Sequence, residues 1–232
     1  MTTHVFPPAA PVDVPVQGSA QRYAVRRIFC VGRNYAAHAR EMGSDPTREP
    51  PFFFTKAPAH LVASGATIAY PPGTHDYHHE MELVVAIGKA AFRITTDEAR
   101  ACVWGYACGL DMTRRDLQAD AKKGGRPWSF GKDFENAAVI GALAPARSTG
   151  VIARGAIELR VGGQLRQRAD LADMIWSVPE VIANLSQYYH LGPGDLIYTG
   201  TPEGVGAVQA GDMLTGRIEG VGDIQLTIGA AE

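Results

Sequence analysis

The chain has 232 residues, 46% of them hydrophobic and 20% charged, with a formal net charge of −2. That length supports one sizeable core; the interspersed charges exclude a basic nucleic-acid surface, and no apolar run approaches a membrane span. The start lacks the basic and apolar segments of a secretory leader, and Cys30, Cys102 and Cys108 show no metal-type spacing, so a cytoplasmic location and small buried thiols are expected.

Pro7, Pro8, Pro11 and Pro15 favour extended, edge-like segments near the N-terminus. Residues 1–24 are therefore expected to pack as an extension on a main domain of residues 25–232. Ala24 to Val31 reads as a strand broken at Gly32. Asn34 to Met42 reads as a short helix, with Asn34 as its N-cap and Gly43 as its stop. His38 and Glu41 lie three apart and so neighbour each other on one face. A Glu beside a His can orient it and raise its basicity, although the spacing alone favours a surface ion pair. Phe52 to Lys56 reads as a buried strand whose lysine marks its exit from the core.

The stretch from His78 to Gly88 reads as the organising strand, with an apolar run from Leu83 to Ile87. Alternation places Glu80 and Glu82 on one face. Two carboxylates entering a buried strand repel each other and call for a cation, and oxygen ligands suit Mg²⁺ or Mn²⁺. The alternative is a solvated strand end. His78 shares that face; it reads as a hydrogen-bonded strand-end histidine or a third ligand.

Further on, Thr95–Glu98 and Ser177–Glu180 are capping boxes, the second opening a helix to about His190. Val103 to Asp111 reads as a buried segment, followed by a helix over 112–123 with Leu117 and Ala121 on one face. Asp111 at that junction either caps the helix or adds a third carboxylate. Arg126 to Phe134 reads as an aromatic loop holding Lys132. Residues 155–168 read as a hairpin, Ala156–Val161 and Gln164–Arg168 around Gly162-Gly163. The glycine-rich run Gly200–Gly206 suits an amide nest for an anion, or an ordinary tight loop. The tail reads as a terminal hairpin. Strands dominate, with a few short helices, which argues α+β or a β-roll.

Several motifs recur in one order: Gly32-Arg33-Asn34-Tyr35 with His38 and Glu41, Phe53-Phe54-Thr55-Lys56, His78-His79-Glu80-Met81-Glu82, Gly109 to Gln118, Gly131-Lys132 and Thr199 to Gly206. Over roughly residues 25–229 this pattern resembles the fumarylacetoacetate hydrolase family. The proline-rich start and the stretch Asp173–Glu180 most resemble the branch that acts on fumarylpyruvate in gentisate catabolism. The resemblance implies a mixed β-roll, a homodimer, and Mg²⁺ or Mn²⁺ held by Glu80, Glu82 and Asp111. It implies that Arg115, Gln118, Lys132 and Thr201 touch a small 2-oxo acid. It also makes the helix around His38 and Glu41 a lid carrying a water-activating dyad. Two departures stand out: Ala57 separates Lys56 from the proline that usually follows it, and Lys132-Asp133-Phe134-Glu135 replaces a Lys-x-Phe-Asp pattern.

The activity so implied is hydrolysis of the carbon–carbon bond of an acylpyruvate, fumarylpyruvate giving fumarate and pyruvate, with Lys132 offsetting developing negative charge. Two further readings are a 2-oxo acid decarboxylase or isomerase of the same fold, and a metal-binding protein without turnover. The dyad favours the hydrolase over the first of these. A second carboxylate on the substrate would be costly to bury unpaired, so Arg33, Arg40 or Lys56 is expected to meet it.

Overall fold

The structure is a computed structural model that describes residues 2–41 and 49–231. The expected end of the first helix at Met42 and its stop at Gly43 lie outside the described residues, as does the stretch of the expected lid from Met42 to Ser44.

The apolar run Leu83–Ile87 fixes the architecture. Its strand, Met81–Ile87, is buried along its whole length. Such a strand must be covered on both faces. It lies inside an eight-stranded mixed sheet, between Asp195–Tyr198 on one side and Val103–Asp111 on the other. Arg27–Gly32 pairs in parallel with Asp195–Tyr198, and Phe52–Lys56 continues antiparallel from it. Beyond Val103–Asp111 come Ala138–Ile140 and then Leu61–Ala63, the last pair parallel.

Alternation divides the core. Leu83, Val85 and Ile87 face a five-stranded sheet that contributes Leu159, Leu214 and Leu226. Val84 and Ala86 face the other way, onto a second cluster with Cys30, Leu196 and Tyr198. Val14, Val16 and Tyr23 cover that second cluster from the N-terminal hairpin Asp13–Pro15/Arg22–Ala24. The Tyr23 hydroxyl fastens the cover by donating to Ile87 O at 2.7 Å and accepting from Gly194 N at 2.8 Å. The result is the strand-dominated α+β roll that the sequence implies.

The five-stranded sheet holds the expected hairpin, Ala156–Val161 with Gln164–Asp170, and the terminal one, Met213–Ile218 with Gly222–Ala231. Gly162 and Gly163 carry φ of 56° and 80°, the left-handed pair that a tight hairpin turn requires. Both capping boxes form. The helix after Ser177 stops at Leu185, five residues earlier than expected. The three cysteines are free and buried.

Candidate active site

Glu82 sits on the face of Val84 and Ala86 and is carried into the interior by its strand. Glu80 occupies the break between Tyr77–His79 and Met81–Ile87, where its carbonyl accepts from Asp111 N at 2.9 Å. That bond sets the last residue of Val103–Asp111 beside both glutamates. Each of the three buried carboxylates offers an oxygen within 4.8 Å of the other two. Asp111 does not cap a helix. A two-residue strand, Thr113–Arg114, follows it, and the helix begins at Arg115. His78 stays outside the cluster, bonded to Asp76 at 2.8 Å.

Cations surround this acidic centre. Lys132 Nζ donates to Glu80 Oε2 and Asp111 Oδ2, both at 2.8 Å, and to the Thr113 hydroxyl at 2.7 Å. Its segment is a short helix, Ser129–Lys132, rather than a loop. Gly131 lets that helix pack tightly, since a Cβ there would lie 2.8 Å from Gln118 N. Arg115 pairs with Glu80 and donates to Gln118 Oε1 at 2.5 Å. The buried face of its helix is thus polar, Arg115 and Gln118, rather than Leu117 and Ala121. Lys56 does not leave the core. It is 2% exposed, bonds the carbonyls of Met112 and Lys132, and lies 2.8 Å from Asp111 Oδ1.

The electrostatics follow from burial and neighbours. Burial opposes ionisation of Glu80, but Lys132 and Arg115 outweigh it and hold its carboxyl well below the usual range. Glu82 lacks such partners: burial, then Asp111 and Glu80, push it well above that range. Asp111 is buried as well, with its Oδ1 against the Lys56 ammonium and its Oδ2 against Lys132. An all-oxygen set of three crowded, buried carboxylates, one of which resists ionisation, fits a hard divalent cation.

The first helix, Ala36–Glu41, brings His38 to the same cleft. His38 is buried, and its Nδ1 lies 3.3 Å from Glu41 Oε2. Because the carboxylate only accepts, the contact selects, for a neutral imidazole, the tautomer with its proton on Nδ1 and Nε2 free to accept. Gly204 N donates to the Glu41 carboxylate at 3.2 Å, and Gly200 N donates to Glu82 Oε2 at 2.8 Å. The glycine-rich run therefore holds two of the protein's own carboxylates. Asn34 is not the N-cap of its helix. Its side chain instead joins Trp176 N, Trp176 O and Thr199 O at 2.7–2.9 Å.

Thr201 also lines the cleft, its hydroxyl accepting from Gln167 Nε2 at 2.8 Å. Gln167 had no signal in the sequence. It reaches in from the Gln164–Asp170 strand, and its Oε1 accepts from Met81 N and faces His79 Nδ1, both at 3.0 Å. It thereby fixes the threonine and the start of the glutamate strand together. Arg33, His38, Glu80, Glu82, Asp111, Arg115, Gln118, Lys132 and Thr201, all singled out in the sequence, line the cleft; Glu41 stands behind His38, and His78 and Lys56 are outside the lining. Among the cations expected to meet a distal carboxylate, Arg33 lines the cleft and Arg40 is exposed outside it.

A strand-borne carboxylate triad, a buried lysine and a histidine–glutamate pair on one cleft mark a particular class of enzyme domain. The family model of the fumarylacetoacetate (FAA) hydrolase C-terminal domain matches residues 27–229, and the chain belongs to that family. Over 188 residues, 81% of this chain and 97% of the relative, it is 57% identical to a fumarylpyruvate hydrolase of a Ralstonia species. The crystal structure of fumarylpyruvate hydrolase from Pseudomonas aeruginosa in complex with Mn²⁺ and pyruvate aligns at a TM-score of 0.96 and 52% identity, covering 98% of this chain and 100% of that one. The oxaloacetate tautomerase YcgM of Escherichia coli K12 is 39% identical over 205 residues, 88% of this chain and 91% of the relative. No helix among the described residues is long and apolar enough to cross a membrane.

Proposed function

We propose that the chain is a divalent-metal-dependent hydrolase that cleaves fumarylpyruvate to fumarate and pyruvate. The observation that carries this reading is the meeting of the carboxylate triad and the His38–Glu41 pair on one cleft. Mg²⁺ or Mn²⁺ would be held by Glu80, Glu82 and Asp111, and it supplies Lewis acidity toward the oxygens of a 2-oxo acid.

The chain's own residues account for the rest. Arg115 and Gln118 orient the pyruvate end, and Thr201 contacts it from the glycine-rich loop. Glu41 holds His38 in the tautomer whose Nε2 removes a proton from water. The resulting hydroxide adds to the distal carbonyl carbon. The bond between that carbon and the adjacent methylene then breaks, and its electron pair goes to the pyruvate fragment. The proton on His38 returns to that methylene carbon, which balances the reaction as substrate plus water giving two acids. Lys132 offsets negative charge beside Glu80 and Asp111; to meet substrate it gives up one of its three bonds.

Residues 1–24 serve as an extension packed on the catalytic unit, and the enzyme works as a homodimer in the cytoplasm. Its buried reduced thiols and its family membership support that setting. The direct test is the diketonate absorbance of fumarylpyruvate added to protein with Mg²⁺ or Mn²⁺. Loss of absorbance with equimolar fumarate and pyruvate is expected. No loss at high enzyme concentration overturns the reading.

A further inference from the structure

We propose that Lys122 and Arg33, which line one cleft, form a carboxylate clamp that selects acylpyruvates whose acyl end carries a second carboxylate. This deepens the hydrolase reading and rests on it for the identity of the substrate.

Arg115, Gln118 and Lys122 stand at i, i+3 and i+7 of the helix Arg115–Lys123, and all three line the cleft. That spacing puts them on one helix face, as successive rungs leading outward. The inner two rungs are engaged: Arg115 holds Glu80, and Gln118 accepts from Arg115. The Lys122 side chain is exposed and makes no ion pair or hydrogen bond among the described residues. It is a charge at the mouth without a protein partner.

Length agrees with this placement. Two helical turns separate Arg115 from Lys122, about 10 Å of rise. In a seven-carbon acylpyruvate diacid the terminal carboxyl carbons are six bonds apart, about 7 Å when extended. The carboxylate oxygens and the lysine side chain span the remainder. With the 2-oxo acid end at the triad, the far carboxylate arrives at Lys122.

Arg33, which lines the same cleft from the segment before the first helix, supplies the second cation of the clamp. Its φ of 56° is left-handed, a conformation that an arginine holds only where its surroundings impose it. The guanidinium lies 5.5 Å over the Phe52 ring, and that ring is seated on Gly32 so closely that no side chain fits there. Trp128 meets Phe52 edge-on at 5.3 Å. Phe52 and Trp128 line the same cleft as the two cations and give it an aromatic wall suited to a flat, conjugated acyl chain. Arg33 likewise has no carboxylate partner among the described residues.

The test is a binding measurement that needs no turnover. Calorimetry with Mg²⁺ compares 2-oxoheptanedioate with 2-oxoheptanoate, acids of equal length that lack the carbonyl required for cleavage. Wild type should bind the diacid roughly tenfold tighter, from charge-assisted contacts to two cations. Lys122→Gln should erase most of that preference, and Lys122→Glu should invert it. Lys123→Gln removes the same charge from a neighbouring exposed lysine outside the cleft lining and should keep the preference. The proposal is overturned if Lys122→Gln retains the preference, or if Lys123→Gln loses it equally. A Lys122-dependent preference in a protein that does not cleave fumarylpyruvate upholds the clamp and rejects the hydrolase reading. Cleavage without any preference for the diacid rejects the clamp alone.

Discussion

Asn34 and Gly200 are packed so closely that a Cβ on Gly200 would lie 2.7 Å from the Asn34 Cβ. The contact joins the two halves of the site. Asn34 begins the segment that carries His38, and Gly200 N holds Glu82. The asparagine side chain meanwhile ties Thr199 O to the backbone of Trp176. One buried amide thus fixes the root of the first helix, the loop behind a triad glutamate, and the stretch before the Val178–Leu185 helix.

Replacing Asn34 with alanine takes that partner from the buried Thr199 O and from the half-buried Trp176 N and O. At about 1–3 kcal/mol for each group left unsatisfied, a loss of about 3 kcal/mol of folding stability is expected. Urea unfolding with and without Mn²⁺ measures it. The gap between the two midpoints should also narrow, because the loop that positions Glu82 loosens. A midpoint unchanged from wild type would show that Asn34 joins nothing of consequence.

This joint was not legible in the sequence, and the reason is physical. A short polar side chain just before a helix reads as a cap, because capping depends only on the next three residues. The competing partners lie 142 and 165 residues downstream. Glu80 and Glu82 were legible because a strand has a fixed side-chain period, and His38 with Glu41 because a helix has one. Asp111 was legible as a carboxylate at a junction, but its membership of the triad depends on its bond to Glu80. Gln167 carried no periodicity at all; a glutamine in a polar hairpin becomes informative only when the fold turns it inward. Lys122 could have been found by extending the helical spacing from Arg115 and Gln118 by one more turn.

Glu82→Gln tests the triad without removing volume. The amide oxygen can still accept from Gly200 N, while one of three crowded charges disappears. Metal-free protein should therefore be no less stable than wild type, since burial and repulsion disfavour the Glu82 carboxylate. The rise in melting temperature on adding Mn²⁺ should shrink to near zero, because stabilisation by a ligand follows its affinity. Thermal melts with and without Mn²⁺ read both effects. A variant that keeps the full metal-induced rise would place the cation elsewhere.

Lys56 separates a buried structural charge from a substrate contact. Its ammonium lies against Asp111 and the carbonyls of Met112 and Lys132, behind the triad rather than at the mouth. Lys56→Met should cost about 3–5 kcal/mol, the effect of leaving a buried carboxylate without one of its cations. The ratio of KM for fumarylpyruvate to KM for acetylpyruvate should stay as in wild type, because Lys56 does not reach the distal end. A stable variant with a selectively raised KM for fumarylpyruvate would return Lys56 to the substrate.

His38 decides between two chemistries that the fold can support. Cleavage of an acylpyruvate and decarboxylation of oxaloacetate both develop negative charge on a pyruvate fragment, so on the proposed reading both would depend on Glu80, Glu82 and Asp111. Only cleavage consumes a water, and only cleavage needs a base beside the distal carbonyl. On the proposed reading that base is His38, which is buried at the cleft beside Glu41, itself held by Gly204 N. General-base catalysis typically contributes about 10²–10⁴-fold, and His38→Ala should lower fumarylpyruvate hydrolysis by that order. Glu41→Gln, which keeps an oxygen acceptor but removes the charge that steadies a protonated imidazole, should cost less than His38→Ala in the same assay. Any decarboxylation of oxaloacetate should fall far less in both variants, because no water has to be deprotonated. Steady-state rates of the two reactions in wild type and the two variants give the answer. Equal losses in both reactions would assign His38 to closing the cleft or to moving a proton on the pyruvate fragment, and would remove water activation from its role.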